Sequence, residues 1–259
     1  MAIFFKSALN QSLRVIIAIT LRDIKTRIGN SYFGFVLGLA MPMGHMIIIL
    51  LIYYFSGRKS AIGTDTVIYL SSAILPFILW SYTHQKIMIS FNQNSALTFF
   101  PIVRYDDILI ARSIVEFINC STICFIFYVL ILLISHDHYI YDYRGVFFSL
   151  FSAYILGVST GSVFGILTLF SNLFFVCGYL IIPLYWITSG VFFIPESLPK
   201  NVRYIIDFLP LSHIVDETRR SIYSNYNTEY PNIIFVYAVL FGNFFLYKAI
   251  EITSRTQRQ

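Results

Sequence analysis

The sequence predicts an all-α membrane protein: six transmembrane helices, an N-terminal amphipathic helix at the membrane interface, and short re-entrant helices on the external side. Three observations predict it. Of 259 residues, 57% are hydrophobic and 12% charged, against about 45–50% and about 25% in an ordinary soluble domain. Apolar runs long enough to cross a hydrocarbon core of about 30 Å recur along the chain. From Val146 to Ile194 there is no Asp, Glu, Lys, Arg or His, a stretch that as one helix would measure roughly 74 Å and must therefore fold back.

Residues 1–31 form the first unit. The segment 5–28 is too polar to span, yet Leu9, Leu13, Ile16, Ile17 and Ile24 share one arc while Asn10, Gln11, Arg14, Arg22 and Lys25 take the other. A basic amphipathic helix of this kind lies along the inner leaflet. Asp23 and Arg27 interrupt the apolar stripe, so its end meets protein or turns away from lipid.

The second unit, 32–250, holds the spans, at approximately 33–55, 67–88, 108–135, 146–170, 173–194 and 232–250. His45 is the only ionisable residue of the first, Val67 to Gln85 reads as an uncharged run, and the third extends back through Glu116 toward Ile108. The fold-back of the uncharged stretch is expected at Ser171-Asn172. Lys248 snorkels to lengthen the last span, and 251–259 is a cytoplasmic tail. Within 195–231, Ile205, Ile206, Phe208, Leu209, Leu211, Ile214, Val215 and Ile222 are punctuated by Pro199 and Pro210; two short helices dipping into the membrane and returning suit this pattern where protein buries them.

An even number of spans puts both termini on one side. Lys6, Arg14, Arg22, Lys25 and Arg27, then Lys86, Arg104 and Arg112, then Lys248, Arg255 and Arg258 outnumber the cations of the opposite loops, so that side is the cytoplasm.

The chemistry-bearing residues are few. No G-x-x-x-x-G-K-[ST] loop is present, so energy for any transport comes from a partner or an ion gradient. For gradient coupling the mid-membrane candidates are Glu116 and His45, and Arg112 with Glu116, four residues apart, suits a structural ion pair. Asp106-Asp107 favours a helix N-terminus. His136-Asp137-His138 is too isolated to make a metal site, and Cys120, Cys124 and Cys177 sit in apolar runs as small hydrophobes. Ala153, Gly157, Gly161 and Gly165 form a smooth strip for close helix approach, within a subunit or between two. Net charge is +5, but without a basic run interleaved with aromatics no nucleic-acid partner is implied.

Several motifs, in order, resemble the inner-membrane permeases of the ABC-2 transporter family that export capsular polysaccharide. They begin with Leu21-Arg22-Asp23-Ile24-Lys25-Thr26-Arg27, Gly34, Pro42 and His45. Leu75-Pro76-Phe77, Asn92-Gln93-Asn94, Pro101, Asp107, Ile110-Ala111-Arg112 and Glu116 follow. Pro183-Leu184-Tyr185-Trp186, Phe193, Pro195, Leu198-Pro199 and Pro210-Leu211 with His213, Glu217 and Arg220 complete the match. Leu37 and Leu209 depart from the family pattern, where Trp and Asn are usual.

The resemblance implies a bacterial inner-membrane homodimer driven by two ATPase subunits that bind ATP and Mg, with no cofactor or catalytic residue in this chain. Coupling to the ATPase would fall to Arg22, Asp23, Lys25, Arg27, Asn92, Asn94, Pro101, Asp107 and Arg112. Path or gate candidates are His45, Trp186, Ser189, His213, Glu217 and Arg220. The cargo would be a polysaccharide, acidic and lipid-linked, passed on to a periplasmic copolymerase and an outer-membrane exporter, with membrane lipid as the surrounding partner. Ser159, Thr160, Ser162, Asn172, Thr188 and Ser189 could offer the polar walls such a path needs. Alternatives are an ABC-2 permease for O-antigen, teichoic acid or a drug, a membrane-embedded transferase, and a gradient-driven flippase.

Overall fold

In a computed structural model, the chain is described over residues 2–28, 32–57, 60–134 and 140–256; side chains are described for these except 2–9, 27–28, 32–39, 54 and 255–256. The described residues form helices and no strands. In order these are α1 (Ala2–Ile28), α2 (Tyr32–Phe55), α3 (Thr66–Gln93), α4 (Tyr105–Ile134), α5 (Tyr143–Thr168), α6 (Leu173–Thr188), α7 (Lys200–Ile206), α8 (Pro210–Ile222) and α9 (Ile233–Thr256), with single 3-10 turns at Ser95–Phe99 and Pro195–Ser197. Among the described residues, α3, α4, α5 and α9 are long and apolar enough to cross a membrane; Ala40–Tyr53 of α2 and all of α6 are shorter apolar helices.

Local chemistry sets the boundaries. Asp65 opens α3 by accepting the backbone N–H of Val67 at 2.7 Å, satisfying a donor the helix itself cannot. Asp142 does the same for Arg144 at the start of α5. The uncharged stretch turns between Thr168 and Leu173. α6 stops at Thr188, well before Ile194, because Gly190 takes φ +79°, a conformation that L side chains rarely adopt.

α3 is the central post. Tyr69, Leu70, Ala73, Ile74, Phe77, Ile78 and Trp80 are all buried, because α5, α4 and α8 surround it. The small-residue strip of α5 faces α3: a Cβ added at Gly157 would lie 2.7 Å from the Trp80 carbonyl, and one at Gly161 2.7 Å from that of His84. Backbone oxygens cannot move aside as a side-chain tip can, so these glycines permit the α3–α5 approach inside one subunit. α4 and α9 instead turn large apolar side chains outward, including Phe125, Leu133, Phe241 and Phe245 at 69–76% exposure. In water a surface of that size would aggregate; against hydrocarbon it is the expected face of a span.

Candidate functional site

The polar chemistry of the molecule collects where α4 begins. Asp106 and Asp107 occupy its first turn, beside backbone N–H groups and the positive end of the helix dipole. Asp107 accepts the Arg104 backbone N–H at 3.0 Å and the Ser12 hydroxyl of α1. Asp106 accepts the Tyr247 hydroxyl at 3.1 Å and pairs with Lys248, both on α9. One turn therefore fastens the N-terminal helix on one side and the C-terminal helix on the other.

Further along α4 lies a buried chain of charges. Arg112 sits 3.3 Å from Asp23 of α1 through Nη1 and 3.1 Å from Glu116 through Nε. Asp23 also receives Arg22 at 2.7 Å. Arg22 reaches on to the Asn94 side chain at the end of α3, and Asn119 donates to Glu116 at 3.1 Å. The Asp23, Arg112 and Glu116 side chains are 5–10% exposed. With two cations and two anions the group is balanced, which such burial requires. Asp23, which breaks the apolar stripe of α1, thus points inward with Ile16 and Ile19, while Leu13, Ile17 and Leu21 remain outward, about half exposed.

Of the proposed coupling residues, Arg22, Asp23, Asn94, Asp107 and Arg112 are brought together here. Lys25, Asn92 and Pro101 are exposed nearby in the sequence without joining the charge chain. The Arg27 side chain lies outside the described residues, as do His136, Asp137 and His138. Beside Pro101, Phe99, Phe100 and Ile102 are 86%, 62% and 51% exposed, an apolar tip immediately before the α4 start.

The proposed path residues do not form one group. The His45 ring lies 5.2 Å from that of Trp186, tilted by 41°, and Trp186 packs 4.4 Å from Phe77. His213 is buried and structural: Nε2 donates to the Asp207 carbonyl at 2.9 Å while Nδ1 accepts the Asn232 N–H at 3.2 Å, tying α7, α8 and α9. Glu217 pairs with exposed Arg220 at 2.9 Å. Ser189 is buried. Ser159 and Ser162 are fully buried and bonded to carbonyls of their own helix, so they line no path through the subunit's surface.

Two buried residues escaped the sequence reading. His84 is fully buried in α3, so Glu116 and His45 are not the only ionisable candidates at that depth. Its Nε2 faces the Gly178 carbonyl at 3.0 Å and Nδ1 the Thr160 hydroxyl at 3.0 Å; a carbonyl only accepts, so Nε2 carries the proton. Arg219 is fully buried in α8. It donates to the carbonyls of Gly190 at 2.6 Å and Phe193 at 3.0 Å and lies over the Tyr69 ring at 4.9 Å. The available signal was spacing: Leu211, Val215 and Arg219 recur every four residues on one helical stripe. Nearby, burial pushes the Asp216 carboxyl above its ordinary range, opposed by the Tyr226 hydroxyl and by Arg219.

No family model matches the chain. It is 23% identical over 239 residues to the polysialic acid transport protein KpsM of Escherichia coli, covering 90% of this chain and 92% of that one. Against the capsule polysaccharide export inner-membrane protein BexB of Haemophilus influenzae the identity is 23% over 239 residues, 90% and 88% of the two chains. Against the capsule polysaccharide export inner-membrane protein CtrC of Neisseria meningitidis it is 24% over 235 residues, 88% and 86%. Along about nine tenths of its length, then, the chain is similar to a polysialic acid transport protein and to inner-membrane proteins of capsule polysaccharide export.

Proposed function

We propose that this chain is the membrane-spanning permease subunit of an ATP-driven ABC-2 exporter that carries capsular polysaccharide from the cytoplasm across the bacterial inner membrane. The observation that carries the reading is the end-to-end similarity to the three transport proteins, spread over nearly the whole of each chain. Four helices of spanning length agree with a multi-pass protein, and α2 and α6 complete the proposed six. Contacts of α1 and α9 with the same turn of α4 support termini on a common, cytoplasmic side, with α7 and α8 as the re-entrant pair opposite.

Two copies form the path, and two partner ATPase subunits bind ATP with Mg and supply the energy. The exposed tip Phe99-Phe100-Pro101-Ile102 receives their movement. A push there is delivered to the first turn of α4, and the Ser12–Asp107, Lys248–Asp106 and Asp23–Arg112 links carry it into α1 and α9 together. The cargo is an acidic, lipid-linked polymer, handed on to a periplasmic copolymerase and an outer-membrane exporter.

Deletion of the gene in an encapsulated host, with the polymer located by immunogold microscopy, tests the reading. Polymer trapped in the cytoplasm and restored to the surface by the wild-type gene is expected. Surface polymer that persists without the gene overturns it.

A further inference from the structure

On the half of the bundle away from the α4 start, the helices part to leave a slot of about 460 Å³. Its outer rim carries Ile68, Leu132 and Tyr143 and its inner end Leu75, Cys124 and Leu150, so it runs parallel to α3, α4 and α5. Cys124 to Leu132 alone advance about 12 Å along the helix. The slot is narrow, long, and directed along the axis on which lipid tails lie.

Apart from the hydroxyls of the partly exposed Tyr128 and Tyr143, its wall has almost no free hydrogen-bonding capacity. Ser71 donates to the Val67 carbonyl and Ser72 to that of Tyr69 at 2.6 Å. Thr218 donates to Ile214 at 2.8 Å and lies 3.0 Å from the Ser149 hydroxyl. A sugar placed here would lose its water hydrogen bonds without replacement. Water gains little for the same reason, because apolar cavities stay dry. A helix, about 10 Å across, is too wide for a slot of this volume. A hydrocarbon chain loses no hydrogen bonds on entry and gains dispersion contacts. The slot is continuous with the lipid-facing surface described above, through Leu132 on α4 and Phe147 on α5, which line it and are 40% and 60% exposed.

We propose that the slot between α3, α4, α5 and α8 is a specific site for one acyl chain of a bilayer phospholipid, which fills the gap where these spans part. The inference rests on the membrane reading of these helices and not on the cargo or the ATPase.

The test uses the full-length protein in phosphatidylethanolamine–phosphatidylglycerol vesicles doped with phosphatidylethanolamine that carries a diazirine near the end of one acyl chain. After irradiation, adducts are mapped by mass spectrometry. Labelling on α4 around Cys124 is expected to saturate as the doped fraction rises, whereas labelling at Phe241 and Phe245 of α9 rises in proportion. Filling the slot with Leu75→Trp and Leu150→Trp lowers the Cys124-region signal about tenfold, the change that a loss of about 1.4 kcal/mol in affinity produces, and leaves α9 unchanged. If the double variant does not fold, the wild-type saturation curve decides alone. Proportional labelling at both places, or labelling of the slot unaffected by the tryptophans in a folded variant, overturns the proposal. Neither readout needs ATP or polymer, so a failure of the exporter reading leaves this result standing.

Discussion

Replacing Arg112 with Met examines the buried charge chain directly. The substitution keeps the aliphatic length and removes the guanidinium, leaving Asp23 and Glu116 facing one another across side chains only 5–7% exposed. Asp23 retains Arg22, so the deficit falls chiefly on Glu116. Breaking a buried pair by deleting one partner costs about 3–5 kcal/mol, and burial this complete leaves little room for solvent to screen it. For a chain of this length that is a drop in thermal midpoint of about 6–20 °C, taking about 2–4 °C per kcal/mol. Asp23→Asn keeps the Arg112–Glu116 pair and costs only about 1–2 kcal/mol. The assay is the loss of the monodisperse size-exclusion peak after stepwise heating of protein purified in detergent. The order expected is wild type, then Asp23→Asn, then Arg112→Met. An Arg112→Met protein that melts with wild type, or above Asp23→Asn, would refute the view that this ion chain holds α1 to α4.

Other outcomes follow from the same geometry. Gly161→Val places a side chain against the His84 carbonyl and is expected to cost about 1–3 kcal/mol through overpacking, whereas Gly242→Ala, with nothing within 4 Å, is neutral or gains about 0.5–1 kcal/mol; thermal midpoints of the pair check this. Arg219→Lys keeps the charge but cannot fork between the Gly190 and Phe193 carbonyls, so limited proteolysis should cut the 190–197 segment faster. Phe99→Asp with Phe100→Asp alters only exposed side chains and should leave the stability within about 0.5 kcal/mol of wild type while abolishing surface polymer and co-purification of the partner ATPase.

The packing of α5 goes beyond what its residue spacing determines. Its glycine strip was visible as a spacing, and the spacing left packing within a subunit and between subunits equally open. The structure resolves it for this subunit by laying α3 on the strip, a placement that depends on α3 being long enough to reach from Thr66 to Gln93. Likewise the aliphatic-rich segment after Pro195 was legible as short helices, but not that α8 turns nearly every face inward, burying Arg219 and Asp216. The count of spans shows the same limit from the other side: α2 and α6 are apolar helices, and hydropathy alone gives the full spanning length to four helices among the described residues.

By itself the sequence determined that this is an all-helical membrane protein, roughly where its apolar helices lie, and which transport proteins it resembles. Those properties are sums over neighbouring residues: hydropathy, capping side chains, glycine and proline at turns. Only the tertiary structure decided that Asp23 meets Arg112, 89 residues away, that Ser12 and Lys248 fasten opposite sides of one helical turn, and that His84 and Arg219 are buried structural groups. Such pairings depend on which helices come to lie together. In an apolar environment many helix arrangements satisfy the backbone equally well, and it is the few polar side chains that must find partners which select among them.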